Sequence, residues 1–193
     1  MCPNCSKPLL RILSLSAADS RLDVDPEKTG VVHLLYCWTC SIPYGVFSYR
    51  IRQNGSVELV EVPPAWEGQF GPAGPYDGYT GQYALKRVGL IPLPEQEQTR
   101  QKSAQLDMDL AFEMLSEQKH QVGGFPVIAN SQDITCPVCR KESALLSVIC
   151  DDASGNEPGG VPPEESFTDY SAVQMVFHFC RDCSVVSAYH SGD

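Results

Sequence analysis

The cysteines are the residues in this chain whose type and spacing most clearly suggest chemistry. The 193-residue chain contains nine of them. Eight form four Cys-x-x-Cys pairs, called knuckles here: Cys2/Cys5, Cys37/Cys40, Cys136/Cys139 and Cys180/Cys183. A knuckle holds two sulfurs on one tight turn, at about the separation of two corners of a tetrahedron, so two knuckles can complete a four-sulfur zinc site.

The knuckles fall into two sets along the chain. A spacer of 31 residues separates CPNC from CWTC, and one of 40 residues separates CPVC from CRDC. Spacers of this size can hold a hairpin or two, as in a zinc ribbon. Pairing knuckles that are nearest in sequence costs less loop-closure entropy than pairing Cys2/Cys5 with Cys180/Cys183, although that crossed arrangement stays open. We therefore expect two zinc sites, and closed four-cysteine zinc is structural rather than catalytic.

Two other interpretations of the cysteines are weaker. A dithiol redox enzyme needs one Cys-x-x-Cys pair with a lowered thiolate pKa at a helix start, so four copies are hard to explain in this way. A disulfide framework is disfavoured by the odd cysteine count and by the lack of a signal peptide. We expect the ninth cysteine, Cys150, to be a buried thiol rather than a nucleophile acting with His178 or His190. For His33 and His178 we expect roles in strands rather than at a metal.

Charge and hydropathy limit the classes of partner. The net charge is −10, and no basic run exceeds two residues. Phosphate contacts supply most of the affinity of nucleic-acid-binding proteins, so nucleic acid is a poor fit. No apolar run reaches the length of a membrane helix, and we see no signal peptide, so we expect a reducing, cytoplasmic location. If the protein has a partner, its acidity favours a basic protein surface.

The two cysteine regions also resemble each other. CPNCSK aligns with CPVCRK, and VVHLLYCWTCS aligns with VQMVFHFCRDCS. The order knuckle, strand, loop, strand, knuckle occurs in both, which indicates an internal duplication. After the first region, alternating residues flank Asn54-Gly55, the strongest short signal for a β-hairpin.

Between the two regions lies a connector of mixed character. Residues 63–82 are rich in Pro, Gly and aromatic residues, and we leave open whether they form an ordered loop with buried rings or an exposed binding loop. Residues 94–119 predict one helix with an apolar stripe, and we expect it to pack in the core or bridge the two regions rather than bind a partner. The stripe consists of Leu106, Met108, Leu110, Ala111, Met114 and Leu115. In the second region, residues 151–166 predict a mobile acidic loop, which we regard as a candidate partner contact.

The knuckles, together with the segment GGFP before CPVC, also carry a resemblance to known proteins. The chain resembles the bacterial YwqG-like and eukaryotic programmed-cell-death-2-like proteins, grouped as TYPP domains. Gly123, Gly124 and Pro126 match the Gly-Gly-x-Pro signature of that family, and the cysteine pairs match its knuckle-bearing members. The first half has no such signature, and Val127 stands where the family often has an aromatic residue.

The resemblance implies a duplicated β-rich fold and no enzyme activity. Eukaryotic relatives look like dedicated chaperones that hold a small-subunit ribosomal protein during its synthesis, and bacterial relatives include immunity proteins that bind a toxin. Both are protein-binding functions, and both suit an acidic chain that holds a basic partner.

Together these observations predict a β-rich α+β protein with two related halves, each carrying a four-cysteine zinc ribbon. The halves are residues 1–62 and 120–193, and residues 63–119 form the connector and its main helix. We expect a non-catalytic protein-interaction module, either a chaperone or an immunity protein. The alternatives are a thiol–disulfide redox protein and a zinc-ribbon protein that binds nucleic acid.

Overall fold

A computed structural model describes residues 6, 9–25, 27–37, 45–61, 89–116, 120–150 and 174–191. Eight strands and two helices lie within these ranges. The strands are β1 Leu10–Ser16, β2 Val31–Tyr36, β3 Phe47–Ile51, β4 Val57–Glu61, β5 Gln121–Val122, β6 Ala144–Cys150, β7 Gln174–Cys180 and β8 Val185–Ser191. The helices are α1 Glu95–Ala104 and α2 Met108–Ser116.

The strands form two sheets. Strands β1 and β2 pair antiparallel as a two-stranded sheet, and the other six follow the order β4–β3–β8–β7–β6–β5. The predicted strand-rich α+β class is therefore confirmed. The predicted repeat of two halves is not confirmed, because the strands between the first knuckles form a sheet of their own, whereas β6 and β7 belong to the larger sheet.

Contacts between Cα atoms divide the chain into two units, each built from three segments. The first unit comprises Met1–Gln82, Gln132–Leu145 and Phe177–His190. The second comprises Tyr83–Ser131, Leu146–Val176 and Ser191–Asp193. The division into residues 1–62, 63–119 and 120–193 rests on sequence composition and stays a prediction.

The hairpin predicted at Asn54-Gly55 is confirmed. Strands β3 and β4 pair antiparallel, with Ile51 opposite Val57. Gly55 has φ of 77°, and the Arg52 backbone N–H donates to the Ser56 carbonyl at 2.8 Å. A positive φ is strained for most residues but not for glycine, so this residue type permits the turn.

Buried aromatic side chains connect the strands of the first unit. Tyr49 in β3 is fully buried, and its hydroxyl accepts the Leu35 N–H at 2.7 Å and donates to the His33 carbonyl at 2.6 Å. Tyr36 in β2 is also buried, and its hydroxyl lies 2.8 Å from His190 Nδ1 in β8. Burial raises the pKa of Tyr49, which keeps its hydroxyl neutral and able to donate.

In the second unit, glutamine amides hold α1 against the start of the Gly-Gly segment. The side chains of Gln101 and Gln121 exchange hydrogen bonds of 2.5 and 3.1 Å, and Gln121 Nε2 also donates to the Gly123 carbonyl at 2.8 Å. Gly123 and Gly124 have φ of 66° and 74°, a backbone conformation that glycine adopts readily. A Cβ on Gly124 would lie 2.5 Å from Gln121 Nε2, so a larger residue would have to displace the Gln121 side chain as well as adopt a positive φ.

The single helix predicted over residues 94–119 is wrong in its continuity. The structure has two helices, separated at residues 105–107. Asp107 begins the second helix, since its Oδ1 accepts the backbone N–H groups of Asp109 and Leu110 at 3.1 and 3.2 Å. An aspartate in this position is a strong helix N-cap, and here it ends one helix and starts another.

The predicted core-packing stripe is also wrong in part. Leu106 is 94% exposed and Met108 is 71% exposed, and no residue of α2 is fully buried. The stripe follows helical spacing, but spacing alone does not say whether a neighbour covers it.

Two other expectations concern the loops between elements and the length of the helices. The loops predicted at residues 63–82 and 151–166 lie outside the described residues. Within the ranges that are described, neither helix has the length and apolar character needed to cross a membrane.

Candidate metal centre

The third knuckle, CPVC, lies on a short turn closed by backbone hydrogen bonds. Thr135 and Glu142 form an isolated antiparallel bridge. Inside it, the Cys136 N–H donates to the Lys141 carbonyl at 2.8 Å, and the Arg140 N–H donates back to the Cys136 carbonyl at 2.9 Å. These bonds hold the fourth and fifth residues after Cys136 close to it, so Cys139 lies within the same turn.

The fourth knuckle, CRDC, connects two buried strands. Cys180 is the last residue of β7, and β8 begins two residues after Cys183. Ser184 anchors the turn between them. Its carbonyl accepts the Ile51 N–H at 2.9 Å, and its buried hydroxyl accepts the Thr29 hydroxyl at 3.0 Å. The position of these two cysteines is thus set by the strand ends and by buried polar contacts within the first unit.

One backbone feature recurs after the knuckles. Among the described residues, three that are not glycine have positive φ: Ser6 at 59°, Arg140 at 61° and Ser184 at 52°. Each directly follows the second cysteine of a knuckle. The sequence analysis did not identify these positions, because Ser and Arg carry no signal for a left-handed backbone. Ser6 shares this conformation, whereas Cys5 itself lies outside the described residues.

The third and fourth knuckles bring their sulfurs together. The Sγ atoms of Cys136, Cys139, Cys180 and Cys183 all lie within 4.8 Å of one another, and none of the four forms a disulfide. Metal–sulfur bonds of about 2.3 Å at tetrahedral angles would place the sulfurs about 3.8 Å apart. The Sγ atoms of Cys139 and Cys180 are 3.6 Å apart, so the cluster could hold a metal ion with little rearrangement.

The cluster is closed by apolar neighbours. Cys136 and Cys180 are buried, whereas Cys139 and Cys183 are half-buried. Val185, which is fully buried, packs with Cys136 and Cys180, and Val60 of β4 lies against the same group. All four sulfurs come from cysteines and none is fully exposed, which is the character of a structural metal site rather than of a catalytic one with an open position.

The surroundings of the cluster shift the pKa values of three of its four thiols in different directions. The backbone N–H of Lys141 donates to the Cys139 sulfur and lowers the pKa of that thiol to about 7. Burial raises the pKa of Cys180 to about 12, and it also raises the pKa of Cys183. Without a metal, one thiol is therefore ready to ionise at neutral pH, while two others hold their protons until a cation displaces them.

Exposed ion pairs surround the knuckles. Lys141 Nζ lies 2.6 Å from Asp182 Oδ2 and so connects the third knuckle to the fourth, and Arg181 lies 2.6 Å from Asp23. All four side chains are more than half exposed, so each pair contributes little to stability. The pairs orient the turns but are not what brings the sulfurs together.

Of the four other predicted metal ligands, the structure describes one. Cys37 is described and is buried just after β2, whereas Cys2, Cys5 and Cys40 lie outside the described residues. The structure therefore brings together four of the eight predicted ligands, all from knuckles that are nearest in sequence. The first predicted site stays a prediction.

Cys150 and the histidines lie where the sequence predicts. Cys150 is buried in β6, and its backbone N–H lies 3.2 Å from His120 Nδ1. His33 is in β2 and bonds Ser14, and His178 is in β7 with Nδ1 3.0 Å from the Ser143 carbonyl. Neither His33 nor His178 belongs to the four-cysteine group. Burial lowers the pKa of His178, so its ring stays neutral at pH 7.

Comparison with protein-family models, curated proteins and solved structures gave no match to this chain. The resemblance to YwqG-like and programmed-cell-death-2-like proteins therefore rests on the Gly-Gly-x-Pro segment and the knuckles, and it stays a prediction.

Proposed function

We propose that this protein is a non-catalytic, zinc-binding protein-interaction module. The observation that carries the proposal is the closed group of four cysteines, Cys136, Cys139, Cys180 and Cys183. Such a site stabilises the chain around it and leaves no open position for substrate or water. A module of this kind acts through its surface rather than through chemistry at the metal.

Zinc is the metal that this donor set favours. Four thiolates in a tetrahedral arrangement suit zinc or iron, and zinc is the usual occupant of paired Cys-x-x-Cys ribbons. Bound zinc would join the turn after Ile134 to the β7–β8 turn, and so would fix these two turns relative to each other. We propose a second zinc at Cys2, Cys5, Cys37 and Cys40, supported by the repeated backbone conformation at Ser6.

The partner we propose is a basic protein. The chain carries a net charge of −10, which disfavours nucleic acid and favours association with a positively charged surface. The resemblance to TYPP domains suggests two forms of this role, a chaperone that holds a basic protein or an immunity protein that neutralises a toxin.

Affinity purification at physiological salt tests this function. A tagged wild-type chain should recover a specific basic protein, and a Cys136→Ser/Cys139→Ser variant should lose that partner if zinc maintains the binding surface. Cys150→Ser is the matched control, because it removes a buried thiol outside the cluster. Recovery of no specific protein by the wild type would argue strongly against the proposal.

A thiol–disulfide redox function is the second candidate, and one observation favours it. The Cys139 thiol has a pKa lowered to about 7, and its sulfur lies 3.6 Å from that of Cys180. Insulin-reduction activity in the metal-free protein would support this alternative, provided that the activity disappears when Cys139 is replaced by Ser. If the metal-free protein does not reduce insulin under reducing conditions, the result favours a structural role for these cysteines.

A further inference from the structure

An exposed apolar patch in the second unit lies on α2, on the turn before it and on the loop after β5. Its residues are Leu106, Met108, Phe112 and Phe125, which are 94%, 71%, 64% and 50% exposed. Met108 and Phe112 are one helical turn apart on α2 and so lie on one face. Phe125 lies beside the end of α1, with its carbonyl 3.4 Å from Gln105 Nε2 and its ring 5.2 Å from Lys102 Nζ.

Helix α2 is only partly covered, since Met108 and Phe112 are exposed whereas its other four apolar residues are half-buried. It has nine residues, six of them apolar, and none is fully buried. Isolated helices shorter than about 12–15 residues are marginal in water, and most helical stability in proteins comes from packing of an apolar face. Contiguous exposed apolar side chains of this kind usually mark an interaction site.

The charges around the patch are mostly negative. Residues 89–116 contain five carboxylates and two basic residues, a net charge of −3. Arg100 pairs with Glu113 at 2.8 Å and Lys102 lies over the Phe125 ring, so four carboxylates of this segment are outside that ion pair. Asp107 and Asp109 lie at the start of α2, next to Leu106 and Met108. An incoming surface therefore meets apolar contacts bordered by carboxylates.

We propose that this patch is the docking surface for a basic amphipathic helix of a partner protein. The proposal rests on the proposed function and adds the place and the chemistry of binding. Apolar side chains of the incoming helix pack on Met108 and Phe112, and its Lys or Arg residues lie near Asp107 and Asp109. Recognition of this kind combines apolar anchors with electrostatic steering by the border.

Charge argues against the other occupants. A symmetric pair of copies would place the same carboxylates of both chains close together, which costs energy unless they are neutralised. An anionic lipid surface would be repelled by the same groups. A basic protein segment is the occupant whose charge complements the border.

A fluorescence-anisotropy titration with a defined probe tests the proposal. The probe is a labelled amphipathic peptide of Leu and Lys, about five helical turns long, and its control is the same pattern with Glu in place of Lys. Wild-type protein should bind the Lys peptide, and Phe112→Ser should weaken binding about tenfold or more. Val31→Ser, which removes a partly exposed apolar side chain of β2 in the first unit, should leave the affinity unchanged.

Two further variants complete the test. Met108→Ser should weaken binding as Phe112→Ser does, and its greater exposure makes an effect on folding smaller. Asp109→Asn should weaken binding at low salt and have little effect at high salt, because salt screens an exposed charge. Thermal unfolding followed by circular dichroism checks that each variant remains folded.

Several outcomes would overturn the proposal. These are equal binding of the Glu peptide, unchanged binding by folded Phe112→Ser and Met108→Ser, or a wild-type dimer that Phe112→Ser dissociates. A different result would contradict the proposed function. If a native partner binds wild type and Phe112→Ser equally, only the docking surface is wrong, whereas the lack of any native partner contradicts the proposed function itself.

Discussion

Arg140 and Ser184 hold a backbone conformation that suits glycine, and the sulfur site explains why. Each follows the second cysteine of a knuckle and has positive φ. At Arg140, this turn directs the next N–H, that of Lys141, toward the Cys139 sulfur. A strained residue of this kind costs about 1–3 kcal/mol and persists where the surrounding structure requires it. Here the requirement is the turn that places a hydrogen-bond donor on the Cys139 sulfur of the four-cysteine group.

Arg140→Gly should therefore stabilise the protein. Glycine adopts positive φ without strain, so we expect the free energy of unfolding to rise by up to about 1 kcal/mol, less what glycine loses in chain entropy. Lys141→Gly is the control, because φ at this position is not positive and glycine should destabilise it. Urea denaturation of the metal-loaded proteins measures both. Equal destabilisation by the two variants would show that the conformation at Arg140 is not strained.

The four thiols also make metal affinity depend on pH. Cys180, whose pKa is about 12, and Cys183, whose pKa is raised, are protonated at pH 7, and each releases a proton when metal binds. Cys139, with a pKa of about 7, releases a further proton only as pH falls below that value. Affinity therefore rises with pH.

These three thiols alone require the logarithm of the apparent affinity to rise by at least about two per pH unit just above pH 7 and by at least about three below it. Competition with a chromophoric chelator at several pH values measures the slope. Affinity that is independent of pH over this range would contradict thiolate ligation.

At the scale of elements, local signals predicted some features and missed others. Asn54-Gly55 determines the β3–β4 hairpin through its own backbone preference, so the sequence was sufficient. The break between α1 and α2 is also local, because Asp107 caps the second helix, but an aspartate inside an apolar pattern did not by itself indicate a cap. Exposure of Leu106 and Met108 depends on which residues pack nearby, and helical spacing does not contain that information.

The Gly-Gly segment gives a test at this scale. Gly123 and Gly124 both have positive φ, but only Gly124 lacks room for a Cβ. Gly123→Ala should cost about 1 kcal/mol for backbone strain. Gly124→Ala should cost more, because its methyl group also displaces the Gln121 side chain from its bonds with Gln101. Thermal unfolding of the two variants measures the difference, and an equal or smaller loss for Gly124→Ala would refute this account of the segment.

At the scale of the whole molecule, the sequence predicted the fold class and the pairing of the third and fourth knuckles better than it predicted the arrangement of the strands. The strand-rich α+β class and the sharing of one site by the third and fourth knuckles follow from alternation and spacing. The separation of β1 and β2 into their own sheet, and the division of the chain into two interleaved units, depend on long-range contacts that no short motif specifies. The predicted duplication stays unconfirmed for the same reason.

The central claim is that Cys136, Cys139, Cys180 and Cys183 form one closed zinc site. Its most direct test is the zinc content per chain, measured by mass spectrometry on protein purified under reducing conditions. The wild type should contain about two zinc ions, one for each set of four cysteines, and Cys136→Ser/Cys139→Ser should contain about one fewer. Equal zinc in the two proteins, or a zinc-free wild type in which all four of these thiols react with a thiol reagent in the folded state, would contradict the claim.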